Sequence, residues 1–360
     1  MAATDERRDA LVERLFEATL GTWDLLAVYL GGRLGLYRAL ADRGALTAPG
    51  LAEATGTNER YVREWLEQQA AGGILEVDDA GKDAAERRYS LPAGHDEALL
   101  DETSLNFIAP IGKLVAACTA PLDQLVEAFK TGDGVPYAAY GEDLHEGQAE
   151  FTRPMFDTLL GREWLPSIPD VHERLLSDPP ARVADVACGQ GFSTLAIARA
   201  YPKVQVVGID SDEASIAAAE RNLEGSGLED RVSFQCRDAA DVEGGRYDLV
   251  YIHEALHDMS YPVNVLAACR RLLAEDGSVV IGDERVADSF TVPGDDLERF
   301  YYGFSMLHCL PVGMVGEGAA GTGTVMRADT VRRYAGEAGF RGFEVLPIEN
   351  DFYRFYRLEP

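Results

Sequence analysis

The chain has 360 residues, 46% of them hydrophobic, and its 61 acidic against 33 basic side chains give a net charge of −28 and a pI near 4.5. That length can bury more than one core, while that charge argues against affinity for nucleic acid or an anionic membrane, whose phosphates are met by lysine and arginine. No apolar run reaches membrane-spanning length, the N-terminus shows no signal-peptide pattern, and the scattered Cys118, Cys188, Cys236, Cys269 and Cys309 fit reduced core thiols, so a cytoplasmic protein is expected.

Apolar residues at helical spacing (Leu11, Leu15, Phe16, Leu20, Leu25, Leu26, Tyr29, Leu30) predict helix from residue 8, interrupted by Gly31-Gly32 and Gly35, with a short helix at Leu36–Ala41. Leu46 to Gly56 reads as a helix with a glycine stop, and Asn58 as the N-cap of the next. The segment from Gly73 to Val77 and that from Arg88 to Pro92 read as a two-stranded wing, so that residues 36–95 make a winged-helix domain. Its second paired helix would enter DNA in a reader of that class. Here Arg60 and Arg63 stand among Glu59, Glu64 and Glu67, and the wing carries Asp78, Asp79 and Asp83, which favours dimerisation and capping of a substrate over DNA binding. The face with Leu11, Leu15, Leu26 and Tyr29 is the expected homodimer surface.

Residues 96–178 read as a mostly helical linking and capping region, with a glycine- and proline-rich loop at 131–141. Tyr137, Tyr140 and Trp164 are candidates to line a substrate pocket, or to pack helices. Asp178-Pro179-Pro180 marks the start of the last domain, 179–360, against 1–95 for the first. There strands (182–187, 204–209, 232–236, 248–252, 278–283) alternate with helices (193–200, 213–225, 261–273), as in an α/β parallel sheet covered on both faces. The tail differs: a helix at 331–338, then strands at 343–347 and 352–358 joined by a short turn, a final hairpin.

In such sheets ligands sit beyond the carboxyl ends of the strands. Ala184-Asp-Val-Ala-Cys-Gly-Gln-Gly-Phe-Ser-Thr194 gives strand, glycine turn (Gly189, Gly191) and helix start, and the next strand ends in Asp210 followed by Ser211. A glycine turn lets a ligand lie on bare backbone and the acid can hold a ribose diol. Thr194 replaces the third glycine of dinucleotide folds, and Asp185 ahead of the turn suits an ammonium or sulfonium better than a pyrophosphate. The pattern resembles the first motif of class I S-adenosylmethionine-dependent methyltransferases. That resemblance implies a Rossmann-like seven-stranded sheet with the C-terminal hairpin, and adenine reading at Asp238-Ala239, with His253 near the cofactor.

His253-Glu-Ala-Leu-His257 matches the zinc-protease spacing, but His253 directly follows a strand where that motif needs both histidines on one helix, so no metal is expected. Leu256-His257-Asp258 instead resembles the corresponding segment of small-molecule O-methyltransferases, whose N-terminal winged-helix domain dimerises. By that resemblance His257 is the general base, neutral with a usual pKa of ~6.5, Asp258 positions the substrate and Asp283 orients the histidine. Met259 stands where the family has tryptophan and Val325 where it has a second acid. Leu307-His-Cys-Leu-Pro311 and Gly321-Thr-Gly-Thr-Val-Met326 resemble a bacterial branch of that family, and His308 is a candidate substrate contact. The expected function is methyl transfer to a small-molecule acceptor, at oxygen first, with transfer to nitrogen or carbon, other chemistry on the same cofactor, or a cofactor-binding winged-helix regulator as alternatives.

Overall fold

The computed structural model describes residues 2–242 and 244–360. Two compact units are present: one comprises the chain to Ala117 together with Glu146–Pro154, the other Cys118–His145 with Met155–Pro360.

The first unit opens on one helix, Ala2–Arg33. The sequence suggested a break at Gly31-Gly32, but the helix runs through it, because a side chain at Gly31 would stand 2.4 Å from Tyr37 and 2.6 Å from Trp65. That glycine sets a close approach instead of a turn. Leu36–Arg43, Ala48–Thr55 and Glu59–Ala71 follow. Thr47 caps the second of these by accepting from Gly50 N, Asn58 caps the third by accepting from Arg60 N, and Gly56 ends the second in the left-handed conformation. Glu76–Val77 and Arg88–Ser90 form the wing, joined by a third strand, Leu46–Thr47, which the sequence placed in a helix. Leu36, Tyr37, Leu40, Leu51, Leu66 and Tyr89 make the core of this unit.

The second unit carries a seven-stranded sheet: β1 (Arg182–Val186), β2 (Gln205–Asp210), β3 (Val232–Cys236), β4 (Tyr247–His253), β5 (Leu273–Glu284), β6 (Gly342–Val345) and β7 (Tyr353–Glu359). The strand order is β3-β2-β1-β4-β5-β7-β6. Strands β1 to β5 are parallel, and β7 enters antiparallel between β5 and β6, opposing Phe355 to Gly282 and Arg354 to Asp283. The expected 278–283 strand begins earlier, at Leu273. Its register against β4 shifts between Tyr247 and Leu249, so the Asp276-Gly277 turn is an irregularity inside one strand. Near-continuous apolar runs such as Leu249–Ile252 and Val279–Ile281 are buried because helices cover the sheet. The parallel order reverses direction between β1 and β4, which opens a crevice at the carboxyl edge of these two strands.

Candidate active site

Among the described residues two non-glycines hold positive φ, Ala187 (58°) just beyond β1 and Glu254 (52°) just beyond β4, flanking that crevice. Such conformations cost of order 1–3 kcal/mol and persist where the surrounding structure imposes them. Past Ala187 the chain turns at Gly189 (φ 51°) and Gly191 (φ 80°) into the helix Phe192–Ala200. A Cβ at Gly189 would meet nothing within 4 Å, so the turn presents bare backbone to open space. At Gly191 a Cβ would stand 2.6 Å from the Phe234 ring, so that position has no alternative to glycine.

Asp210 ends β2 beside the turn, with Oδ2 accepting from Gly189 N (2.9 Å) and Oδ1 from Asp212 N (2.9 Å). Burial pushes its carboxyl above the usual value. Ser211 follows it, and Asp238, exposed, caps the short turn Ala239–Asp241 through Ala240 N (2.8 Å), with Ala239 half-buried. Asp185 has a different place from the one its sequence position suggested. It is buried, and its Oδ2 accepts from the hydroxyls of Ser193 (2.6 Å) and Thr194 (2.5 Å), fixing the helix start behind the turn. Burial raises its pKa to about 6.

Beyond β4, His257 lies in the short turn Leu256–Asp258. Its Nδ1 is 2.9 Å from Asp283 Oδ1 and also 2.9 Å from Glu284 Oε2. One ring proton cannot serve both: the hydrogen bond goes to Asp283, and Glu284 Oε2 has no aligned donor. Burial alone would push the imidazole down, but Glu284 and Asp283 outweigh it and hold His257 well above its usual value. Burial works against the Asp283 carboxylate too, yet the His257 charge keeps it below the usual range. Glu284 goes the other way, well above the carboxylate range, by burial first, with only partial relief from His257. The three buried groups therefore titrate as one coupled cluster, and His257 is not the neutral histidine near pH 6.5 expected from its residue type. Burial also lifts Asp258 to about 6 and Glu254 to about 7, and Glu254 accepts from Tyr353 Oη at 3.2 Å.

The aromatic candidates separate into two groups. Tyr137 stacks on His145 (4.6 Å, 7°), whose Nδ1 is 3.6 Å from Asp212 Oδ2, and both Tyr137 and Tyr140 pack on the His308 ring (5.7 and 4.7 Å). Burial raises the Tyr137 phenol, and Asp210, Asp258 and Asp212 add to this, so its hydroxyl lies in the field of both the β2 acid and the His257 turn. Trp164 belongs elsewhere. It stacks flat on His253 (5.2 Å, 10°) and tilts against Phe355 (5.0 Å). His253 is boxed by Trp164, Phe156, Tyr353 and Phe355, and its Nδ1 faces Tyr251 Oη at 2.8 Å. Gly282 makes room for it, since a Cβ there would sit 2.4 Å away. Burial drops the His253 pKa to about 3. These surroundings read as packing for both rings.

Among the described residues, the donor sets with the spacing to hold a metal are His257, Asp283 and Glu284, and His257, Asp258 and Cys309, each within 4.8 Å. His253 is in neither, so the His-Glu-x-x-His spacing does not organise them. The sequence puts Glu284 beside Asp283 at the end of its strand without giving it a role; His145, Cys309 and Thr324, absent from the sequence candidates, are brought in only by tertiary packing.

Comparison with known proteins agrees with the fold. Residues 177–322 match the methyltransferase domain family, and residues 24–100 match the Rv2258c-like winged helix-turn-helix domain. The chain is 26% identical over 355 residues to 3-amino-4-hydroxybenzoate 4-O-methyltransferase of Streptomyces cremeus, covering 95% of this chain and 89% of that one. The solved structure of the mitomycin 7-O-methyltransferase superposes with a TM-score of 0.71 over 98% of this chain and 99% of its own, at 18% identity. Human N-acetylserotonin methyltransferase, solved with its cofactor SAM, does so with a TM-score of 0.69 over 97% of each chain, at 15% identity.

Proposed function

We propose that this chain, an S-adenosylmethionine-dependent methyltransferase with an N-terminal winged-helix domain, transfers the methyl group to a hydroxyl of a small-molecule acceptor. The observation that carries the hydroxyl reading is the buried His257–Asp283 contact on the strand rim, in a chain similar along nearly its whole length to an O-methyltransferase.

The donor set fits the cofactor. The open backbone at Gly189 is a cradle that a side chain would fill, and Asp210 offers a carboxylate for a ribose diol. Ser211, Asp238 and Ala239 line the ends of β2 and β3, where the adenosine would be read. Asp185 supports the turn from behind. When bound, S-adenosylmethionine supplies an already electrophilic methyl carbon, so the protein's part is alignment and proton removal.

His257 takes the acceptor's proton in this reading. Asp283 fixes its tautomer and stabilises the charged ring. Because Asp283 and Glu284 both favour the charged ring, the cluster must lose a proton before the imidazole can accept one. Asp258, half-buried beside it, positions the acceptor, and Tyr137 and Tyr140 form the wall opposite.

Of the face expected from the sequence, Leu11 and Leu15 are exposed while Leu26 and Tyr29 are half-buried, and Leu11 and Leu15 with the exposed Phe16 are the surface we assign to a homodimer. Charge disfavours DNA as a partner: Arg60 pairs with Glu64 (2.5 Å) and Arg63 with Glu59 (3.5 Å), so the helix that would enter a groove has its cations engaged.

Incubation with methyl-labelled S-adenosylmethionine and a panel of phenols, amines and thiols, followed by mass analysis, tests the reading. A labelled methyl ether supports it, and label found only on nitrogen, carbon or sulfur overturns it.

A further inference from the structure

The segments Leu307-His-Cys-Leu-Pro311 and Gly321-Thr-Gly-Thr-Val-Met326 have no part in the chemistry above, yet they meet at His257. Gly323 N donates to the His257 carbonyl (2.9 Å), Thr324 N donates to Ser305 Oγ (3.0 Å), and Cys309 Sγ lies within 4.8 Å of a His257 ring nitrogen. The crossing needs glycine: Gly323 has φ 73° and a Cβ there would stand 2.4 Å from Ser305 Oγ. Ser305–Cys309 is a π-helical turn between the helices Asp296–Phe304 and Leu310–Gly313. Such widened turns cost regular hydrogen bonding and recur at functional sites.

Two side-chain atoms at this junction have no hydrogen-bond partner, His308 Nε2 and Thr324 Oγ1. Both residues are 0% exposed. Each unmet buried polar atom costs about 1–3 kcal/mol, and native interiors leave few of them, so two in one junction beside the proposed base call for a ligand group. The chemistry of that group follows from the donors. Burial, with the charges of His257 and His145, lowers His308 to about 3, so the ring is neutral. Its Nδ1 faces Cys309 Sγ at 3.3 Å, and burial holds that thiol protonated, with a pKa of about 11. A thiol donating to Nδ1 leaves Nε2 as an N–H donor, while the threonine hydroxyl both donates and accepts. The rings of Tyr137, Tyr140 and Phe304 pack against His308, so its surroundings are aromatic.

We propose that His308 and Thr324 form a polar subsite beside His257 that binds a second hydroxyl or amine on the acceptor, so that the chain selects arenes with vicinal polar groups over a lone phenol. This rests on the hydroxyl-acceptor reading above. A site built to hydrogen-bond a substrate group discriminates strongly against analogues that lack it.

The test is calorimetric titration of protein saturated with S-adenosylhomocysteine, using phenol, catechol and 2-aminophenol. Catechol and 2-aminophenol should bind about ten-fold or more tighter than phenol. His308→Leu and Thr324→Val should each bring that preference down towards phenol while leaving the cofactor product's affinity unchanged, and His308→Gln, which keeps a donor, should retain part of it. Thr324→Val is isosteric and decides the matter if His308→Leu does not fold. Equal affinity for phenol and catechol, no binding of either vicinal compound, or a preference that survives both variants would overturn the subsite. Methyl transfer to lone phenol as efficient as to catechol would also remove the subsite while leaving the methyltransferase reading intact. Label reaching no oxygen at all would remove the hydroxyl reading instead.

Discussion

His257 Nδ1 and Asp283 Oδ1 stand 2.9 Å apart with side chains only 2% and 1% exposed, and Glu284 Oε2 is equally close to the same nitrogen. A pair so buried, with a second carboxylate at contact, does not titrate like a surface histidine. Its pH behaviour is therefore a direct consequence of the fold.

Methyl transfer to a neutral hydroxyl should rise with pH along a limb whose apparent pKa lies above the usual histidine value of ~6.5, because both carboxylates favour the imidazolium. Glu284→Gln removes one of them, so the proton should leave at lower pH and the limb should move to the acid side. A pH–kcat/KM profile checks this; an unmoved limb, or one displaced to higher pH, contradicts the assignment. The linkage has a stability counterpart. A folded-state value raised above the unfolded one gives stabilisation that is full below pH ~6.5 and is lost as pH climbs through the raised value.

Cofactor affinity should depend on Asp210. Its two oxygens already take the Gly189 and Asp212 amides, and a ribose diol would add to this set. Asp210→Ala should weaken binding of S-adenosylmethionine and S-adenosylhomocysteine by roughly 1.5–3 kcal/mol, the range for hydrogen bonds to a charged group. Calorimetry giving the parental Kd would remove Asp210 from the site.

The two glycines of the turn should separate binding from stability. Gly189→Ala meets no neighbour but must hold φ 51°, so about 1–2 kcal/mol of stability should be lost while the methyl fills the cradle and abolishes cofactor binding. Gly191→Ala adds a clash with Phe234 and should cost more. Thermal melts with and without S-adenosylhomocysteine distinguish them. Cofactor stabilisation of the Gly189→Ala protein equal to that of the parent would contradict the cradle.

The first helix exposes Leu11, Leu15 and Phe16 at 54%, 58% and 65%. Covering that face is the expected basis of a two-fold dimer. Leu15→Glu with Phe16→Glu should convert a dimer to a monomer in sedimentation velocity. A parent that sediments as a monomer at micromolar concentration would refute the assignment.

Much of this was legible in the sequence because it is local. Asn58 and Asp212 announce helix starts by residue type, and Gly189, Gly191 and Asp210 fall at strand ends that the apolar runs define. The long first helix was not legible, since Gly31 serves a contact with Tyr37 and Trp65 that no local pattern encodes. Pairing of Trp164 with His253 and of Tyr137 with His145 likewise depends on which elements pack together. The sequence named His257 and Asp283, but the second carboxylate on the same nitrogen, which changes the protonation of the site, became visible only with the fold.

The central claim is that His257 removes the acceptor's proton, and one comparison tests it most directly. With an acceptor found in the labelled-cofactor assay, kcat and cofactor Kd are measured for the parent and for His257→Ala near neutral pH. Turnover should fall by roughly 10²–10⁴-fold, the range for a lost general base, with cofactor affinity nearly unchanged, and the deficit should shrink as pH rises through the acceptor's own pKa. Parental turnover in His257→Ala would show instead that the buried histidine only packs against Asp283 and that transfer proceeds by alignment alone.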